Sequence, residues 1–140
     1  MAFTGNYVCY SFKTGLLNGA FNFTLTPFYI ALYNNNATLN ANTTEYTSTG
    51  EVTGSGYTAG GKLLLVNQVP VNDPTNGVSY MSFSNASWTA ALTARGALIY
   101  TPGTNGAFCV LDFGADKIST TTFQVQFPAA TSTSAILRLS

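Results

Sequence analysis

Four glycines within eight residues, Gly54, Gly56, Gly60 and Gly61, run directly into Leu63-Leu64-Leu65-Val66, the most apolar stretch of the chain. Glycine takes positive φ without the steric cost of a Cβ, so the backbone turns here, and the apolar run after it reads as a strand buried on both faces. The same stretch imitates two phosphate-binding signatures. Residues 56–63, G-Y-T-A-G-G-K-L, match G-x-x-x-x-G-K-[ST] except at the last position, where Leu63 replaces the hydroxyl that would hold Mg²⁺. That motif also needs a helix after the lysine, whose free N–H groups and dipole hold the phosphates, and a strand follows Lys62 instead. Gly54-Ser-Gly56-Tyr-Thr-Ala59 imitates the dinucleotide fingerprint and fails for the same reason. A loop between strands is expected, and no cofactor.

The remainder of the chain alternates strands and turns. Ser11 as cap, Phe12, Leu16 and Leu17 at helical spacing and Gly19 as stop predict one helix of about two turns. Phe28-Tyr-Ile-Ala-Leu-Tyr33 is a strand between Pro27 and Asn34-Asn35-Asn36. Residues 34–49 hold too few apolar side chains for the core and read as a surface excursion. Strands at 63–71 and 78–83 flank a turn containing Asn76-Gly77, and strands at 97–100 and 107–113 flank Thr101-Pro102-Gly103-Thr104-Asn105-Gly106, predicting two hairpins. Phe123, Val125 and Phe127 alternate with Gln124 and Gln126, which places the glutamines outward; 135–139, with Leu137 and Leu139 inward, closes the fold.

About seven strands without a crossover helix predict one all-β domain over residues 1–140: an antiparallel β-sandwich, jelly-roll-like, with one short N-terminal helix. Its core is expected at Ile30, Leu32, Leu64, Val66, Leu98, Tyr100, Val110, Phe123, Val125 and Phe127, with Trp88 inside as well.

Charge and residue inventory narrow the function. Lys13, Lys62, Arg95, Lys117 and Arg138 balance five carboxylates to a net charge of zero, and no two basic residues are neighbours, so nucleic acid is not an expected partner. The N-terminus lacks a basic, apolar leader and no run reaches the ~18 residues of a membrane span, so a cytosolic origin and no membrane partner are expected. With no histidine in the chain, Ser-His-Asp and Cys-His pairings cannot form; no catalytic residue is assigned and no enzymatic role is expected.

Asp112 and Asp116, in Asp-Phe-Gly-Ala-Asp, are the best carboxylate pair. They read as a turn after a strand ending at Phe113, with Asp116 capping it, and the remaining alternative is a weak surface Ca²⁺ site needing about six oxygens. Cys9 and Cys109 lack a CxxC or any ligand set, which removes structural zinc; two buried thiols is the plain reading, and a disulfide stays open. The glycosylation-like triplets at Asn22, Asn36, Asn42 and Asn85 carry no weight without a secretory signal.

Several segments in order carry a resemblance: Phe12-Lys-Thr-Gly-Leu-Leu-Asn-Gly19, FYIALY followed by Ala37-Thr-Leu, Asn42-Thr-Thr-Glu-Tyr46, GEVTGSGYTAGGK, Trp88, ARGALIY at 94–100 and VLDFGADK at 110–117. Together they cover most of the chain, and it resembles a family of small structural proteins of tailed bacteriophages. The resemblance implies a virion component without enzymatic activity, assembled in the host cytoplasm, whose jobs are capsid decoration (cement) or a tail, neck or fibre-associated role. A carbohydrate-binding module on the virion, with an exposed Tyr or Trp88 as stacking platform, is the rival from another class.

A surface of Asn, Thr, Ser and Tyr with no excess charge suits a subunit mostly covered by partners. Those partners are expected to be other copies of the chain and major capsid or tail proteins. The expected contact residues are Phe3, Tyr7 and Tyr10, which belong to no evident strand, and Asn34, Asn35 and Asn36 at the head of the polar excursion.

Overall fold

A computed structural model describes residues 3–140; Met1 and Ala2, at the head of the unpatterned N-terminal segment, lie outside the described residues. The elements are β1 (Tyr7–Val8), α1 (Tyr10–Leu17), β2 (Phe28–Tyr33), β3 (Lys62–Leu64), β4 (Val66–Asp73), β5 (Val78–Phe83), β6 (Ala86–Trp88), β7 (Thr93–Tyr100), β8 (Ala107–Ile118), β9 (Phe123–Val125) and β10 (Leu137–Leu139). They form an all-β, sandwich-like fold with a five-stranded sheet in the order β1-β8-β7-β2-β3, a three-stranded sheet β10-β5-β4 and the pair β6-β9. All these pairings are antiparallel.

Strands outnumber the expected seven because 63–71 breaks at Leu65 into β3 and β4, which join different sheets, and because β1 and β6 are too short to show a period. The break also corrects the reading of a strand buried on both faces. Leu64 is buried, whereas Leu63 is 47% and Leu65 61% exposed. The reason is position: β3 is the edge of its sheet, paired with β2 alone.

β2 organises the interior, because its alternating side chains supply two different aromatic clusters. Phe28, Ile30 and Leu32 face the three-stranded sheet and α1, and Tyr29, Ala31 and Tyr33 face the other way. On the first side the Phe28 ring lies 5.1 Å from Phe23, 5.6 Å from Phe83 and 5.9 Å from Phe108, and Phe12 of α1 reaches Phe108 at 4.3 Å. Phe108 is the extra residue of a bulge, since Ile99 pairs with Cys109 while the next residue, Tyr100, pairs with Ala107. On the second side, residues 34–61 cover the sheet.

Those residues are not the surface excursion that polarity suggested. Ala37 and Leu39 are fully buried, Ala41 O accepts the Tyr10 N–H at 2.9 Å, and Thr44 O accepts the Ala107 N–H at 3.0 Å. A polar segment packs here because its few apolar side chains point inward and its carbonyls take the N–H groups of α1 and β8.

The helix starts at Tyr10 with Cys9 as a cap lacking a side-chain bond, so Ser11 lies inside the first turn. Gly19, at φ +76°, ends it as expected, its N–H donating to Leu16 O. Phe12 is buried, but Leu17 is 89% exposed. The two hairpins form: Asp73 pairs with Val78 across the first turn, and Thr101 N–H donates to Gly106 O at 2.8 Å across the second. β8, however, does not stop at Phe113 but runs on to Ile118 through an irregularity around Gly114, φ +83°.

Eight of the expected core positions are buried, and Val66 and Phe127 are half-buried against them. Gln124 and Gln126 face solvent, joined to each other at 2.8 Å. Leu137 is half-buried, but Leu139 is exposed rather than inward. No helix among the described residues is long and apolar enough to cross a membrane.

Candidate functional site

The glycine stretch folds around one carboxylate. Glu51 forms a bridge with Tyr33 at the end of β2, the chain leaves that edge through residues 53–60, and it returns as β3 opposite Ile30. In the gap the Leu32 N–H has no strand partner and donates to the Tyr57 hydroxyl at 2.9 Å. Tyr57 in turn donates to Glu51 Oε1 at 2.7 Å, Gly60 N–H donates to the same oxygen at 2.7 Å, and Tyr46 donates to Oε2 at 2.5 Å. Tyr100 closes the ring by donating to Gly60 O at 2.7 Å, and Tyr33 donates to Thr47 O at 2.6 Å.

The physical consequence is a set of phenols that resist ionisation. Burial, then the hydrogen bond to Glu51 and its charge, push Tyr46 up to about 12; burial and the Glu51 charge push Tyr100 up to about 12. Tyr33 and Tyr57 are raised further, burial first in both. The three donors to Glu51 are two phenols and a backbone N–H from residues 46, 57 and 60, so the carboxylate works as a fastener for the loop.

This arrangement also decides the phosphate-like signature. The Gly60 N–H, which a phosphate would need, is held by Glu51, and β3 rather than a helix follows Lys62. Lys62 Nζ donates to Ser87 O at 2.5 Å and sits 5.6 Å from the centre of the Trp88 ring. At Gly61, φ +78°, an added Cβ would fall on the Ile30 carbonyl, so glycine is required by close approach of β2. Trp88 is buried beside Tyr57 and Phe123, which removes it as an exposed stacking platform.

Asp112 and Asp116 do not form a turn. Asp112 pairs across the sheet with Gly96, accepts from Arg95 and from the Gly114 N–H at 2.8 Å, and its backbone N–H donates to Asn6 Oδ1 at 2.7 Å. Partial burial opposes its charge, yet the Gly114 N–H and the Arg95 guanidinium prevail and hold it below the usual range. Asp116 stays exposed in the strand, so it caps nothing. Among the described residues no three of Cys, Asp and Glu stand close enough to share a metal ion. Cys9 and Cys109 are free, buried thiols; burial pushes Cys9 up to about 11 and raises Cys109 too.

The expected contact residues are scattered. Phe3 is buried, its ring under Arg95 at 5.7 Å and in the space a Gly96 side chain would fill, so it is committed to its own chain. Tyr7 lies in β1, paired with Val110, contrary to the absence of an evident strand there. Tyr10 opens α1 and is 56% exposed; Asn35 and Asn36 are exposed and Asn34 half-exposed at the end of β2. What sequence reading missed is the apolar surface at 63–71, where Leu63, Leu65, Val69 and Val71 are all exposed, with Leu139 on the other edge of the same sheet as β4. The signal was Pro70, whose missing N–H marks β4 as an edge. Beside it, an apolar cleft of about 300 Å³ is lined by Phe21, Phe23, Met81, Leu137 and Leu139.

Comparison with family models, with curated proteins and with solved structures returns no match.

Proposed function

We propose that the chain is a non-enzymatic structural subunit of a tailed-phage virion, placed on the capsid shell as a decoration protein. The observation that carries this reading is the exposure of Leu63, Leu65, Val69 and Val71 on a chain with zero net charge. A lone small domain normally covers such side chains or surrounds them with charge; a subunit leaves them for its neighbours. Without excess charge, copies do not repel one another, and burial of these leucines and valines drives their association. The resemblance of its ordered motifs to those of small phage structural proteins suggests the setting, and the major capsid protein is the proposed second partner.

The test is a reconstruction of the virion that carries this chain. Density for it across the shell in lattice symmetry, on the order of hundreds of copies, is the expected result. Roughly a dozen copies or fewer at one vertex assigns it to the neck, tail or fibre instead, and its absence from the particle overturns the proposal.

A further inference from the structure

We propose that the groove between α1 and the turn joining β7 to β8 binds a neutral saccharide. The groove measures about 680 Å³, the size of a ligand cleft. Ser11, Thr14 and Asn18 form one wall and Thr101, Thr104 and Asn105 the other. Phe21 and Pro102 also line it and give it apolar surface. Gly15 makes this possible, since a side chain there would meet the Phe21 ring at 2.6 Å.

The lining selects the ligand class. None of the ten charged residues of the chain borders the groove, so a phosphate or carboxylate would find no counter-charge. A purely apolar ligand would strip water from seven hydroxyl and amide side chains, Thr26 included, without replacing its hydrogen bonds. A sugar ring meets both demands, with hydroxyls that donate and accept and a C–H face that packs on the exposed Pro102 ring.

Two details indicate that these polar groups are held ready rather than used internally. Ser11 Oγ is buried and has no hydrogen-bond partner among the described residues. Asn105 is the one described non-glycine residue at positive φ, +59°, a conformation that glycine would adopt at lower cost. Asparagine is among the non-glycine residues that reach this conformation most readily, so the turn sets its amide on the groove at little backbone cost.

This site is independent of the virion reading, which stands or falls on the particle. The experiment is an amide NMR titration of the full chain with maltohexaose, cellohexaose, chitohexaose and mannohexaose, each to about 10 mM, where a millimolar Kd still registers. At least one should shift the amides of Ser11, Thr14, Asn18, Thr104 and Asn105 while those of β4 stay in place. Asn18→Ala and Thr104→Ala, both at exposed positions, should each weaken that binding roughly three- to tenfold while leaving the remaining spectrum unchanged. The proposal is overturned if none of the four sugars shifts these amides, if neither variant weakens the shifts, or if inorganic phosphate shifts the same amides more strongly.

Discussion

β7 and β4 are both eight-residue antiparallel strands, yet after Thr93 every residue of β7 is buried while none of β4 is. β7 lies between β8 and β2, with the phenylalanine cluster on one face and Tyr46, Tyr100 and the 34–61 segment on the other. β4 is the open edge of a sheet of three. The difference teaches that apolar side chains in this chain serve two purposes: those of β7 hold the fold, and Val69 and Val71 stay 51% and 39% exposed among the described residues. Nor does β4 present a row of free N–H groups for strand addition, because Pro70 removes one and two register shifts break its ladder with β5. Side-chain packing is what that face offers.

The largest expected effect lies on the buried strand. Leu98→Ala should destabilise the protein by about 2–5 kcal/mol, read from denaturant midpoints, since the cavity opens where both faces are packed. Next comes the fastener that holds the cover over β7. Glu51→Gln keeps the shape but removes a charged acceptor from two phenols and an N–H, and should cost about 1–3 kcal/mol by the same measurement. A cost near zero would mean that the 34–61 segment is held by packing alone.

The same fastener gives the fold an alkaline limit. Folded Tyr46 and Tyr100 hold their protons to about 12 against the usual 10.0, so the folded state binds more protons above that lower value. Stability from these groups is therefore fully present below pH 10.0 and declines as pH rises through about 12. Thermal midpoints across that window should fall with pH and fall less steeply in Glu51→Gln, where the opposing charge is gone. The smallest effect belongs to the edge: Val71→Ala should change stability by less than about 0.5 kcal/mol. A loss comparable to that of Leu98→Ala would erase the contrast between the two strands.

How much of this was legible in the sequence follows from the range of the forces involved. The hairpins and the alternation of Phe123, Val125 and Phe127 were readable because turn residues and period act over a few positions. The Asp112 reading failed because its partners are brought from afar, Arg95 by β7 and Asn6 by the residues before β1, and local spacing in Asp-Phe-Gly-Ala-Asp imitates a turn. Glu51 was invisible as a centre for the same reason: Tyr46, Tyr57 and Gly60 meet it only once the loop closes on β2. Phe3 looked like a loose aromatic end until Gly96 of β7 made room for its ring.

The exposed residues of 63–71 are expected to form an interface between copies. Sedimentation velocity at roughly tens of micromolar, a range that registers micromolar association, compares the wild-type chain with Leu65→Lys/Val71→Lys. Both substituted side chains are already exposed, so the variant should fold. The expected result is a discrete oligomer for the wild type and a monomer for the variant. A wild-type chain that sediments as a monomer, or a variant that still assembles, would contradict it.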